Sequence, residues 1–126
     1  MILGIGCDII EIKRIKNSIE KFGEKFLNKI FTQKEIEYCT SKAISEQHFA
    51  GRFAAKEAIA KALYQSGIKK VDWLNIEVLN NDLGIPFVKL YDLNLINAEI
   101  KVSISHSNEN AIAYAIIEKI EEKNNE

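Results

Sequence analysis

Apolar residues recur at every second position in two stretches of the chain, and this period predicts β-strands. In residues 2–9 one face carries the apolar side chains Leu3, Ile5, Cys7 and Ile9. The other face carries Asp8 near two glycines, where a ligand or another backbone segment can approach closely. A β-bulge, or a tight helix contact with Asp8 capping the next helix, is the alternative. In residues 100–105 the apolar face comprises Ile100, Val102 and Ile104.

Further strands are predicted where apolar runs are separated by turn residues. Residues 73–79 and 86–91 flank a turn at 80–84 and are expected to form a hairpin. Residues 111–118 are compatible with either a strand or a helix, and the preceding turn at 107–110 favours a hairpin strand.

Helical spacing dominates the first third of the sequence. Apolar residues three or four positions apart predict a helix over residues 12–30, with a weak point at Gly23. Thr32 and Glu35 have the spacing of a capping box, so a short helix is expected to begin there. The polar residues 40–47 follow as a loop or as the entry to another helix.

Residues 49–63 have the period and alanine content of a helix, yet charged residues fall among apolar ones around it. These charged residues are Arg52, Lys56, Glu57 and Lys61. A buried charge costs several kcal/mol unless it is paired or bound to a ligand. Binding an anion through a metal ion would explain one carboxylate and three cations in this helix. The helix is expected to end near Gly67, which can adopt the left-handed conformation of a cap.

The length of 126 residues suits one domain, assigned to residues 1–118, followed by a polar tail at 119–126 that is expected to fray. A net charge of −1 gives no general argument for nucleic acid, so anion binding must depend on local clusters. Neither Cys7 nor Cys39 has a second Cys or a His at metal-binding spacing beside it, which is typical of reduced thiols in a cytoplasmic protein. No signal peptide or membrane span is expected.

Asp8 and Glu57 could together hold a hard divalent cation, and magnesium commonly binds one or two carboxylates plus substrate phosphates. Hydroxyl groups at 103–107 could add hydrogen bonds to those phosphates. Positive charge for the phosphates would come from Arg52, Lys56 and Lys61. A lone histidine is more often structural than catalytic, and His48 is most simply structural.

The region 13–29 carries six cations against two glutamates, a local charge of +4. Arg14, Lys21 and Lys25 share one stripe of the predicted helix. A run of lysines is usually a solvated face. The functional alternative is a docking surface for an acidic partner.

Three motifs occur in order: GIGCDIIEIKRI at 4–15, FAGRFAAKEAIAKAL at 49–63 and VSISHS at 102–107. Together they closely resemble the signature of the bacterial holo-acyl-carrier-protein synthases, the short type of 4′-phosphopantetheinyl transferase. The resemblance runs from Met1 to about Glu118. It implies an α+β fold, in which a curved antiparallel sheet packs on one long helix, and a homotrimer with each active site between two subunits.

The activity implied by this resemblance is magnesium-dependent transfer of the phosphopantetheine arm of coenzyme A to a serine of apo acyl carrier protein, in fatty acid biosynthesis. The other product would be adenosine 3′,5′-bisphosphate. The base that deprotonates the serine is left open between Glu57 and a magnesium-bound water. The matching positions imply metal ligands at Asp8 and Glu57, catalytic residues at Glu57, Lys61 and His106, coenzyme contacts at Arg52, Lys61, Ser105 and His106, and carrier docking at Arg14, Lys21 and Lys25.

The sequence departs from the family pattern in three places. A G-T-G turn common in relatives is replaced by residues 64–67, so this loop beside the coenzyme site is expected to differ in shape. Ile10 stands where longer transferases place a third acidic ligand, so magnesium should bind a water there. Some docking arginines are lysines, which keep the charge but lose bidentate geometry.

Two alternative functions are compatible with part of these observations. The same chemistry could serve the carrier domains of polyketide or peptide synthetases, although the short length and the missing third carboxylate argue against it. The chain could also be a non-catalytic module that binds coenzyme A or a carrier protein.

Overall fold

A computed structural model describes residues 1–92, 95 and 97–121. Helices and strands follow one another in this order: β1 (Ile2–Glu11), α1 (Ile12–Phe22), α2 (Glu24–Ile30), α3 (Gln33–Thr40), α4 (Ser45–Gln65), a 3-10 turn (Trp73–Asn75), β2 (Ile76–Asn80), β3 (Pro86–Leu90), β4 (Ala98–His106) and β5 (Asn110–Lys119).

The strands form two antiparallel sheets. The larger sheet has the order β1-β5-β4, and β2 pairs with β3 in the smaller one. In the larger sheet Asp8 lies opposite Ala113, and Cys7 lies opposite Tyr114. Helix α4 packs across this sheet, so the predicted α+β fold of an antiparallel sheet on one long helix is confirmed.

Helix α4 approaches β1 at two glycines. A Cβ on Gly6 would lie 1.9 Å from the carbonyl oxygen of Ala58, and one on Gly4 would lie 2.1 Å from that of Ala62. Only glycine permits this contact, because these helix atoms are backbone and have little freedom to move away. The tight helix contact foreseen for this face is therefore present, but α1 has no side-chain cap.

Two predicted elements are wrong in their bounds, and a third boundary is now fixed. The helix expected over residues 12–30 is divided at Gly23, whose φ of +56° ends α1 and lets α2 begin in a new direction. Residues 73–75 form a 3-10 turn instead of strand, because Asp72 accepts a hydrogen bond from the Leu74 amide. Helix α4 begins at Ser45, so residues 45–47 form the helix entry that was one of the two alternatives for residues 40–47, and it ends at Gln65, close to the predicted position.

The two faces of the larger sheet differ in exposure. The face against α4 is closed by the buried side chains of β5: Ala111, Ala113, Ala115 and Ile117. The opposite face is exposed and largely apolar, and we call it the outer sheet face: Ile5, Cys7, Ile9, Ile112, Tyr114 and Ile116. Within the described part of the chain, every helix is too short or too polar to cross a membrane. Of the predicted polar tail, residues 122–126 lie outside the described residues.

Candidate active site

Asp8 on β1 and Glu57 on α4 line the same open cavity of about 590 Å³. The glycine-mediated contact between β1 and α4 brings them together, because Asp8 projects from the same strand face as the two glycines. Arg14 from α1 also lines this cavity. The structure therefore brings together both predicted metal ligands and one predicted docking residue.

The two carboxylates affect each other electrostatically. Burial raises the pKa of Glu57, the neighbouring Asp8 raises it further, and Lys61 partly opposes both effects. A divalent cation would relieve this like-charge repulsion, and carboxylate oxygens are ligands that magnesium prefers. No group of three or more His, Cys, Asp or Glu side chains with metal-binding geometry occurs among the described residues. Two carboxylates with remaining positions filled by water or phosphate thus fit magnesium.

Lys61 lies beside Asp8 and lines another cavity, together with Cys7 and Gln65. Its Nζ is 3.4 Å from Asp8 Oδ1 and donates a 3.0 Å hydrogen bond to the carbonyl oxygen of Cys7. The side chain is 51% exposed, so the ammonium group is available to an anionic ligand. The altered turn beyond it is attached to β1, because the Ile5 amide donates to Oε1 of Gln65 over 2.9 Å.

His106 and Arg52 belong to a second group of side chains, which does not line the carboxylate cavity. The His106 ring lies 6.4 Å from the ring of His48, which in turn lies 5.8 Å from Tyr38. The Arg52 guanidinium lies 4.0 Å from the centre of the Tyr38 ring. Arg52 is only 4% exposed, and its Nη2 donates to Oδ1 of Asn80.

Ser105 and His106 lie on opposite faces of the sheet, because successive side chains of a strand alternate. His106 is opposite Ala111 on the helix side, whereas Ser105 is opposite Ile112 of the outer sheet face. One chain therefore cannot present both side chains to the same side of a ligand.

Lys56 has a structural role, and the prediction that it supplies charge to phosphates is wrong. Its side chain has no exposed surface, and its ammonium group lies 2.5 Å from the carboxylate of Glu35. It also donates to the carbonyl oxygens of Ile30 and Trp73, at 2.6 and 3.1 Å. All three of its donors are thus satisfied within the protein. The sequence identified Glu35 only as a capping residue. The signal that could have revealed its second role was the charge of Lys56, which needed a buried acidic partner.

The remaining predicted docking residues lie on the surface of α1 and α2. Lys25 lines a shallow cavity with Phe22, Phe26 and Lys29. The Nζ of Lys21 lies 5.2 Å from the centre of the Phe22 ring, and this ring is 55% exposed. Cations and an exposed aromatic ring therefore occupy one surface, which continues through Arg14 to the carboxylate cavity.

An α+β fold with a strand carboxylate and a helix carboxylate in one cavity, and a lysine beside the first of them, is suited to an enzyme that binds a metal-complexed phosphate. Residues 4–116 match the family model described as the 4′-phosphopantetheinyl transferase superfamily, and the chain belongs to this family.

Similar proteins agree with this assignment. The holo-[acyl-carrier-protein] synthase of Clostridium botulinum strain Alaska E43 is 51% identical over 125 residues, covering 95% of this chain and all of that protein. A crystal structure of a holo-(acyl-carrier-protein) synthase from Bacillus anthracis, in complex with CoA (3′,5′-ADP), is 38% identical with a TM-score of 0.77, covering 94% of this chain and 98% of that one. The Helicobacter pylori holo-[acyl-carrier-protein] synthase in complex with coenzyme A is 35% identical with a TM-score of 0.79, covering 90% and 99%.

Proposed function

We propose that this protein transfers the 4′-phosphopantetheine arm of coenzyme A to a serine of apo acyl carrier protein. The products are the holo carrier and adenosine 3′,5′-bisphosphate. The observation that carries the proposal is the cavity shared by Asp8 and Glu57, with Lys61 beside Asp8. Family membership and relatives that are holo-acyl-carrier-protein synthases support it.

Asp8 and Glu57 would hold magnesium. When bound, the ion would supply charge neutralisation to the pyrophosphate of coenzyme A. Lys61 adds a cation beside Asp8, and its exposed ammonium group would contact a phosphate oxygen. In the reaction the serine oxygen forms a bond to the β-phosphorus, and the bond to the adenosine 3′,5′-bisphosphate group breaks. Glu57, which lines this cavity, is a candidate acceptor of the serine proton.

Arg52 and His106 would bind the nucleotide part of coenzyme A through the second group of side chains. Ser105 would contact the coenzyme from the outer sheet face. Since neither His106 nor Ser105 lines the carboxylate cavity of the same chain, these contacts are best explained by a site shared between subunits.

We therefore include a homotrimer in the proposal. The outer sheet face supports it, because Tyr114, Ile5 and Ile9 are each more than half exposed there and a second copy of the chain would cover them.

Docking of the acidic carrier is assigned to Arg14, Lys21 and Lys25. The setting proposed is fatty acid biosynthesis in the cytoplasm, in keeping with the free thiols of both cysteines.

The test is to mix the protein with coenzyme A, magnesium and an apo carrier protein, and to measure the carrier's mass. We expect the mass of the added arm with the wild type, and none after Asp8→Ala, Glu57→Ala or chelation of divalent cations. Gel filtration of each variant serves as the control for correct assembly. A wild-type protein that binds coenzyme A without any mass gain on the carrier would instead favour a non-catalytic binding module.

A further inference from the structure

Three basic side chains contact the Tyr38 ring, a fourth contacts His48, and no described acidic side chain forms a salt bridge with any of them. They are Lys42, His48, Arg52 and His106. The Lys42 ammonium group lies 4.7 Å from the centre of the Tyr38 ring, on which Arg52 also packs. Within the described part of the chain, none of the four forms a salt bridge.

The cluster also retains unused hydrogen-bonding capacity. Arg52 is only 4% exposed. Its Nε atom is buried and has no hydrogen-bond partner among the residues that the structure describes. A buried donor without a partner is costly, and so is a set of like charges without a counter-ion. An anion bound at this cluster would supply the missing counter-ion.

His48 is the member of the cluster whose charge depends on such an anion. Burial lowers the pKa of His48 first, and Arg52, Lys42 and His106 lower it further. These neighbours belong to α4, to the segment after α3 and to β4, and no carboxylate offsets them among the causes of the shift. The neutral form of the imidazole is therefore favoured in the free protein. A phosphate dianion at the cluster reverses the sign of the local potential and favours the imidazolium form.

We propose that His48 is a further phosphate-binding residue of the nucleotide site and takes up a proton when the nucleotide binds. This proposal rests on the proposed function, which assigns Arg52 and His106 to coenzyme A. His48 lies between Tyr38 and His106, at 5.8 and 6.4 Å between ring centres. Protonation gives it two N–H donors, where the neutral ring has one. Affinity for the nucleotide must then rise as the pH falls toward 6, because binding and protonation favour each other.

The test is calorimetric titration of the assembled protein with adenosine 3′,5′-bisphosphate at pH 6.5, in two buffers of different ionisation enthalpy. The difference in heat gives the number of protons taken up. His48→Phe retains an aromatic ring against Tyr38 and His106, and His48→Gln retains polarity, but neither can be protonated. We expect the wild type to take up more protons than both variants, and to gain up to about tenfold more affinity between pH 7.5 and 6. Protonation of the phosphate itself occurs in this range but is common to all three proteins.

The two possible failures are distinguishable. Equal proton uptake by the wild type and by both variants, with binding retained, would overturn the assignment of His48 and leave the proposed function intact. Absence of binding in all three proteins would overturn the proposed function as well. Thermal unfolding of each variant confirms that the comparison is made between folded proteins, and a variant that is unfolded is replaced by the other.

Discussion

The ammonium group of Lys56 lies 2.5 Å from a carboxylate oxygen of Glu35, and neither side chain has exposed surface. Glu35 also accepts hydrogen bonds from the backbone amides of Thr32 and Val78, at 2.8 and 2.9 Å. Burial lowers the pKa of Lys56, and the Glu35 carboxylate counters that effect. The pair thus joins α3 and β2 to helix α4. Lys56, which directly precedes the candidate catalytic residue Glu57, therefore has a structural role.

Substitution of either partner should strongly destabilise the protein. Lys56→Met leaves Glu35 as a buried carboxylate without a cation, and Glu35→Gln leaves the lysine unpaired. We expect each to lower the free energy of unfolding by about 3–5 kcal/mol, measured by urea denaturation. Lys101→Met is the matched control, because Lys101 is 65% exposed and pairs with surface glutamates. The control should cost about 1 kcal/mol or less, and an equal loss in all three variants would contradict the prediction.

The contact of Gly6 with α4 gives a second stability prediction. Gly6→Ala places a methyl group against the Ala58 carbonyl oxygen, so strand and helix must separate. We expect a loss of about 3 kcal/mol in unfolding free energy together with reduced transfer, since Asp8 lies two residues further along β1. For Gly51→Ala the nearest atom is a methyl group of Ile104 at 3.0 Å, which can shift. This control gains helix propensity and should stay within about 1 kcal/mol of the wild type.

These two contacts show what the sequence could and could not predict. The alternation of β1 identified a face open to close approach and placed Asp8 on it, so the position of one proposed metal ligand was predictable. The partner of Lys56 was not predictable from local pattern, because Glu35 lies on another helix and its capping role already explained its presence. Pairing of distant charges depends on how helices pack, which periodicity does not encode.

The second group of side chains gives a different lesson. The strand period already implied that Ser105 and His106 face opposite sides, yet their shared motif suggested one common site. His48 was predicted to be structural from its residue type alone. Its position between Tyr38 and His106, and hence its shared environment with Arg52, depends on how α3, α4 and β4 meet.

The raised pKa of Glu57 predicts that its charge destabilises the metal-free protein. Because the folded pKa lies above the unfolded value, the cost is present at high pH and is relieved as the pH falls through the folded pKa. At pH 8 with a chelator, Glu57→Gln should therefore melt a few degrees above the wild type. Magnesium should raise the melting temperature of the wild type but not that of Glu57→Gln, because this variant has lost a proposed ligand. The control is Glu24→Gln, a surface change on α2 that should follow the wild type, and a lower melting temperature for Glu57→Gln in chelator would refute the prediction.

The cations of α1 and α2 predict a selective effect on the carrier protein. Changing both Lys21 and Lys25 to Glu should raise the KM for the carrier about tenfold, while kcat and the KM for coenzyme A stay unchanged. The reversed charge of these two side chains would weaken the encounter and docking of the acidic carrier protein, and it would leave the carboxylate cavity unchanged. The matched control reverses Lys13 and Lys16, which line a different cavity. A similar rise in KM for both double variants would show that net charge, and not this surface, controls carrier binding.

The separation of His106 from the carboxylate cavity predicts complementation between inactive subunits. Asp8→Ala and His106→Ala should each abolish transfer alone, because each removes one half of every site. If a site combines Asp8 of one subunit with His106 of its neighbour, mixed trimers contain some sites with both residues intact. Random assembly from equal amounts gives about one quarter intact sites, so co-refolded mixtures should recover roughly that fraction of wild-type activity. A third variant, Ile116→Glu on the outer sheet face, should prevent assembly and recovery together, as sedimentation velocity would show. If both residues act within one subunit, mixing restores nothing at any ratio.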